Sequence, residues 1–78
     1  MILYIKQGCP FGAKVLSASG ELGITFEIRD IADSAVANEL VKRGGKRQVP
    51  YLVDEEASVE IYESDDIIAY LQEKYATK

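Results

Sequence analysis

One thiol carries most of the chemistry this chain can offer. Its 78 residues include a single cysteine, Cys9, and no histidine. Pro10 follows it and Lys6 stands three positions before it. Proline is tolerated at the first helical position, where its missing N–H costs nothing. Gly8-Cys9-Pro10 therefore reads as a loop-to-helix junction. A helix start leaves unpaired N–H groups and the positive end of the dipole facing the residue before it. A cysteine so placed, with a cation such as Lys6 nearby, has its pKa lowered from about 8.5 into a range of about 3.5–7.5. The thiolate is the form that attacks disulfides. The competing reading is an inert buried thiol, since free cysteine is among the most buried residue types. The junction argues against it, because such loops are accessible.

The same residue counts exclude other chemistry. One cysteine cannot close a disulfide within the chain. Without histidine there is no Cys/His zinc site within one chain, and no Ser-His-Asp or Cys-His nucleophile pair. The third position after Cys9 is Gly12, so the motif is Cys-Pro-Phe-Gly rather than Cys-x-x-Cys. A two-thiol exchange cycle is excluded. A one-cysteine cycle is left: Cys9 takes the small half of a mixed disulfide, and a second small thiol then releases it. Such a cycle needs a binding site for the small thiol.

The elements that must position Cys9 are legible from periodicity. Ile2-Leu3-Tyr4-Ile5 reads as a short buried strand. Pro10 to about Glu21 reads as a helix with Val15, Leu16, Ser19 and Leu22 on one face. Thr25 to Asp30 alternates, with Phe26 and Ile28 pointing one way. Asp33 or Ser34 caps a helix over Ala35–Lys42, with Val36, Ala37, Leu40 and Val41 on its buried stripe. Residues 49–53 are extended, with Pro50 at a strand start or an edge. Asp54-Glu55-Glu56 is the polar turn of a hairpin whose second arm is Ser58–Tyr62. Ser64 caps a last helix, with Asp65 and Asp66 in its first turn and Ile68, Leu71 and Tyr75 facing the core. The expected fold is α/β, in the order β-α-β-α-β-β-α: a four-stranded mixed sheet with helices on both faces, forming one domain over residues 1–78.

Composition sets the class. Apolar residues make up 47% and charged residues 28% of the chain, ordinary values for a soluble globular domain. No apolar run approaches the ~18 residues of a membrane span, and no signal peptide is read at the N-terminus. A lone thiol fits a reducing compartment, so a cytoplasmic location is expected. The net charge of −4 argues against bulk nucleic-acid binding. That charge is unevenly spread, with residues 1–53 carrying a net +2 and residues 54–78 a net −6. Lys42, Arg43, Lys46 and Arg47 cluster near the Gly44-Gly45 break. Lys42 and Arg43 suit a helix C-terminus.

Three segments carry a family resemblance. Tyr4 through Gly12 resembles the glutaredoxin segment around Cys-Pro-Tyr-Cys, including the lysine three before the cysteine. Gly45-Lys46-Arg47-Gln48-Val49-Pro50 resembles the Gly-x-Arg-Thr-Val-Pro segment, whose proline is cis in that family. Glu63-Ser64-Asp65-Asp66-Ile67 stands where the family has a Ser/Thr-Asp pair at a helix start. The chain is also similar to the N-terminal domain of glutathione transferases, through Cys9-Pro10-Phe11 with Lys14-Val15, through Val49 to Asp54, and through Glu63-Ser64 with Ile67 to Leu71. Both resemblances imply the thioredoxin-like fold and a glutathione site.

By that resemblance Cys9 is the nucleophile, carrying glutathione as a mixed disulfide beside Pro10 and Phe11. Lys6 and Arg47 hold the tripeptide's glycine carboxylate. Val49, ahead of Pro50, pairs with its cysteine residue backbone to backbone, as in β-augmentation. Glu63, Ser64 and Asp65 take the γ-glutamyl end, Asp65 accepting from the α-ammonium. Plainer readings also fit: Ser64-Asp65-Asp66 as a cap with dipole-matched charge, Lys6 as a solvated strand end, Pro50 as a trans edge proline.

The activity implied is glutathione-dependent thiol–disulfide exchange through Cys9 alone, with glutathione as co-substrate. The partners are glutathionylated proteins or small mixed disulfides, with no nucleic acid and no membrane, and a monomer is expected. Two alternatives stand beside it. One is a glutathione-binding module without turnover, with Phe11 as an exposed contact. The other is a carrier in which two chains and two glutathiones hold an iron–sulfur cluster through four thiolates. Pro10 departs from the Cys-Gly-Phe-Ser motif of such carriers. Transfer to a bulky electrophile is not expected, because the transferases build that pocket partly on a following helical domain and this sequence stops at Lys78.

Overall fold

The first strand, β1 (Ile2–Ile5), is covered on both faces: Leu3 and Tyr4 point to opposite sides, and both are fully buried. In the computed structural model, which describes residues 1–75, six further elements follow. They are α1 (Pro10–Glu21), β2 (Glu27–Asp30), α2 (Ser34–Gly44), β3 (Tyr51–Asp54), β4 (Val59–Ile61) and α3 (Ser64–Tyr75). β1 pairs in parallel with β2 and antiparallel with β3, and β3 pairs antiparallel with β4. The sheet order is β2-β1-β3-β4. The parallel pair is joined by a helix and the last antiparallel pair by a tight turn, as the two pairings require. This is the α/β arrangement that the sequence pattern implies, and the thioredoxin-like fold that the resemblance implies.

Alternation along β1 and β3 divides the core in two. Leu3 and Leu52 face α1 and α3, where Val15, Ile67 and Leu71 complete one cluster. Tyr4, Tyr51 and Val53 face α2, with Ala37, Leu40 and Ile31. Each fully buried Leu or Ile here contributes about 1.5–3 kcal/mol.

Several expectations are corrected. The buried stripe of α1 is Gly12, Val15 and Ser19, and Leu16, one residue round the helix, is exposed. Ile28 is 45% exposed although Phe26 packs on the core. β2 is an edge strand, and the helices pack over β1 and β3. Val41 is exposed for the same rotational reason as Leu16: the stripe of α2 is Val36, Ala37 and Leu40. In α3 Leu71 is buried as expected, but its buried partners are Ser64 and Ile67, so Ile68 is at the flank and Tyr75 is exposed. Adjacent isoleucines gave the periodicity no means of choosing. Asp33 is the cap of α2, accepting from Ala35 N–H at 2.9 Å.

The largest correction is Asp54. It was placed in an exposed turn, but it ends β3 and is 2% exposed. The turn is Glu55–Ser58. Asp54 accepts from Tyr70 Oη, Lys74 Nζ and the Ala57 N–H. A buried carboxylate needs such partners.

Candidate functional site

Cys9 occupies the position just before α1. Its backbone is extended (φ −78°, ψ 120°), and its carbonyl accepts from Ala13 N–H at 3.2 Å as the first helical bond. Its own N–H closes a tight turn on the Lys6 carbonyl at 3.0 Å. The side chain makes no capping hydrogen bond. The amides of Phe11 and Gly12 thus begin the helix without a side-chain acceptor, the arrangement that receives an anion. The thiol is free and half-buried.

Gly12 stands where a two-thiol exchanger has its second cysteine. This residue is buried, and a Cβ there would lie 3.3 Å from Ile5 Cγ2. α1 approaches β1 closely at this point because the side chain is absent.

A groove of about 250 Å³ opens next to this helix start. Phe11 stands on one side, Val49 and Pro50 on a second, and Glu63, Ser64 and Asp65 on a third. Six residues named from the sequence thus meet in one place, although they come from three separate segments. The Val49–Pro50 peptide bond is cis. Phe11 is 58% exposed, in agreement with the expected open contact.

Sequence reasoning missed parts of this site. Gln48 also lines the groove, and its Nε2 donates to Glu63 Oε1 at 2.9 Å. Lys14 reaches from α1 to α3, where its Nζ is 2.6 Å from Asp65 Oδ1. Neither pair leaves a periodic signal, since the partners are far apart in the chain. Ser64 was expected to cap α3. Instead it is the first helical residue and buried, and the Glu63 carbonyl accepts the first helical bond from Ile67 N–H at 3.0 Å. Glu63 sits at φ +62°, a left-handed conformation uncommon for a side-chain-bearing residue. Such strain clusters at ligand clamps.

Four of the named residues do not line the groove. Cys9 and Pro10 precede Phe11 at the helix start. Lys6 and Arg47 are exposed, and among the described residues neither forms an ion pair. A larger cavity of about 410 Å³ lies at the other end of α1, between Leu22, Asp54 and Tyr75. The chain's one thiol is not in its lining, so the smaller groove beside Cys9 is the better candidate site for thiol chemistry. No described helix is long and apolar enough to cross a membrane.

Residues 3–78 match the family model for the glutathione S-transferase N-terminal domain. The chain belongs to this family. The match falls on the second of the two resemblances read from the sequence. Solved structures agree with it. Glutathione S-transferase 1-6 from Anopheles dirus species B superposes with a TM-score of 0.84 at 28% identity, covering 100% of this chain and 37% of that one. A glutathione S-transferase from the Antarctic clam Laternula elliptica gives 0.82 at 30%, covering 97% and 35%. A glutathione transferase from Phanerochaete chrysosporium, solved in complex with oxidized glutathione, gives 0.82 at 32%, covering 97% and 36%. This transferase N-terminal domain therefore spans little more than a third of the length of the solved relatives it resembles. No curated protein sequence matches it.

Proposed function

We propose that the groove binds glutathione and that Cys9 exchanges it by a one-cysteine thiol–disulfide mechanism. The observation that carries the reading is the meeting of the uncapped Cys9 helix start with Phe11, Val49, Pro50, Glu63, Ser64 and Asp65. The solved relative bound to oxidized glutathione supports the ligand class.

The exchange has two steps. The Cys9 thiolate attacks the glutathione sulfur of a mixed disulfide. A Cys9–glutathione disulfide forms, and the substrate leaves as its thiolate, which takes a proton from water. The thiolate of a second glutathione then attacks the bound glutathione sulfur. Oxidized glutathione leaves and the Cys9 thiolate is restored, so each mixed disulfide reduced consumes one free glutathione thiol, whose sulfur joins the glutathione already in the disulfide.

The chain's own residues have defined parts in this scheme. Cys9 stands at the N-terminus of α1, the end of a helix that receives negative charge. The Gln48-Val49 backbone, which bends into β3 and lies outside it because the strand begins at Tyr51 and not at Val49 as expected, offers a peptide edge. Asp65 offers a carboxylate to an ammonium, after exchanging its bond to Lys14. That exposed pair holds at most about 1 kcal/mol. The alternative is a groove that binds glutathione without turnover.

The test is the rate at which the protein removes glutathione from a glutathionylated peptide in excess glutathione. Wild type should exceed uncatalysed exchange clearly, and Cys9→Ser should fall to background. A wild-type rate at background would retire the exchange reaction.

A further inference from the structure

Two walls of the groove are tied together by a side chain that does not line it. The segment from the end of α2 to Pro50 forms one wall, and the β4–α3 junction forms the other. Tyr62 belongs to the junction, yet its hydroxyl is bonded to the opposite segment. It accepts from Lys46 N–H at 3.1 Å and donates to the Lys46 carbonyl at 3.0 Å. One oxygen satisfies both backbone groups of one residue, which requires a group that is donor and acceptor at once.

The ring is as closely placed as the hydroxyl. Gly44, the last residue of α2, gives it room: a Cβ there would lie 2.7 Å from Tyr62 Cζ. The Tyr51 ring packs against it with centroids 4.3 Å apart, and Lys46 Nζ is 5.7 Å from its centroid. Two residues beyond Lys46, the Gln48–Glu63 bond joins the same two walls again. Lys46 therefore has its backbone fixed immediately before the Gln48-Val49 stretch.

We propose that Tyr62 is a positioning residue: by holding the Lys46 backbone it keeps Gln48 and Val49 in the register that a peptide ligand pairs with. This rests on the reading of the groove as a glutathione site. Gln48 and Val49 meet the ligand, and Tyr62 acts through them. Without the hydroxyl the segment samples other conformations, and the ligand must select the competent one. Apparent affinity then falls by the fraction of time the segment is competent. A competent fraction near one fifth gives a loss of about fivefold.

The experiment titrates glutathione into the full chain by calorimetry, for wild type, Tyr62→Phe and Tyr70→Phe. Tyr62→Phe keeps the ring on Gly44 and removes only the hydroxyl. Tyr70→Phe removes a hydroxyl bonded to Asp54, at the other end of the sheet, and controls for general loss of stability. The expected result is a Kd raised about three- to tenfold in Tyr62→Phe and unchanged in Tyr70→Phe. Amide exchange at Lys46 should also quicken in Tyr62→Phe with no ligand present. Equal Kd values for wild type and Tyr62→Phe, or equal shifts in both variants, would overturn the positioning role alone. A wild type that binds no glutathione would overturn the site reading and the proposal together.

Discussion

Gly12 is the residue on which the proposed one-cysteine chemistry can be tested against a two-cysteine one. The position lies one helical turn from Cys9, where a second cysteine would stand in a two-thiol exchanger. Here α1 closes on Ile5, and a Cβ would meet Cγ2 at 3.3 Å. Gly12→Cys should therefore not convert the chain cleanly to dithiol chemistry. Overpacking of this kind costs about 1–3 kcal/mol. We expect urea unfolding to give a stability lower by that amount, and a new thiol that reacts with an aromatic disulfide reagent much more slowly than Cys9. A Gly12→Cys variant as stable as wild type, with two equally fast thiols, would contradict the close packing. The sequence identified Cys9 and its helix start, because proline and glycine punctuate the chain there. It did not show why Gly12 is glycine, because Ile5 belongs to another element.

Elements are tied to one another by polar bonds that periodicity could not register. Asp54 at the end of β3 accepts from Tyr70 and Lys74 on α3, which locks the last helix to the sheet. Those bonds hold the Asp54 carboxyl below the usual carboxylate range, Lys74 first and Tyr70 next. Tyr4 and Arg29 hold Glu39 of α2 low in the same way. A lowered folded pKa stabilises the fold above the unfolded value, near 4. That contribution is lost as pH falls through the folded values, so acid unfolding should begin below about pH 4. Asp54→Asn should weaken the fold by about 2 kcal/mol at pH 7 and flatten the acid limb of a pH–stability curve. An unchanged acid limb would show that Asp54 is not the responsible group. The alkaline side has the opposite sign. Burial, first, and carboxylate partners raise Tyr4, Tyr51 and Tyr70 above the ordinary tyrosine value. Their contribution is complete below about pH 10 and declines as pH rises through the raised folded values. The strand and helix order was readable from alternation and caps. The α3 register was not, since Ile67 and Ile68 are equally apolar and only the packing against Leu3 and Leu52 selects between them.

Seen whole, the molecule is two thin core layers on either side of one small sheet. A domain of this length has a total stability of about 4–12 kcal/mol. Leu71 is fully buried in the cluster beneath α1 and α3. Leu71→Ala should cost about 2–5 kcal/mol, a large part of that total, and calorimetric scanning should show a midpoint lowered by about 8 °C or more, at about 4–8 °C per kcal/mol. A smaller shift would mean that the two layers are more independent than their shared strands imply. The candidate site lies where three segments, distant in sequence, come to one end of this sheet. Its residues were named through the family resemblance, whose three segments also carry local signals: a helix start, an X-Pro step and an acidic first turn. Gln48, Lys14 and Tyr62 were not, because their roles exist only across segments.

The closed seat at Gly12 also sets a time. On the proposed chemistry, a Cys9–glutathione disulfide has no neighbouring sulfur to release it, so it persists until a free thiol arrives from solution. Its lifetime then varies inversely with the concentration of that thiol. The fraction of molecules carrying glutathione at any moment would follow the ratio of oxidised to reduced thiol outside the protein, and so report the redox state of its surroundings.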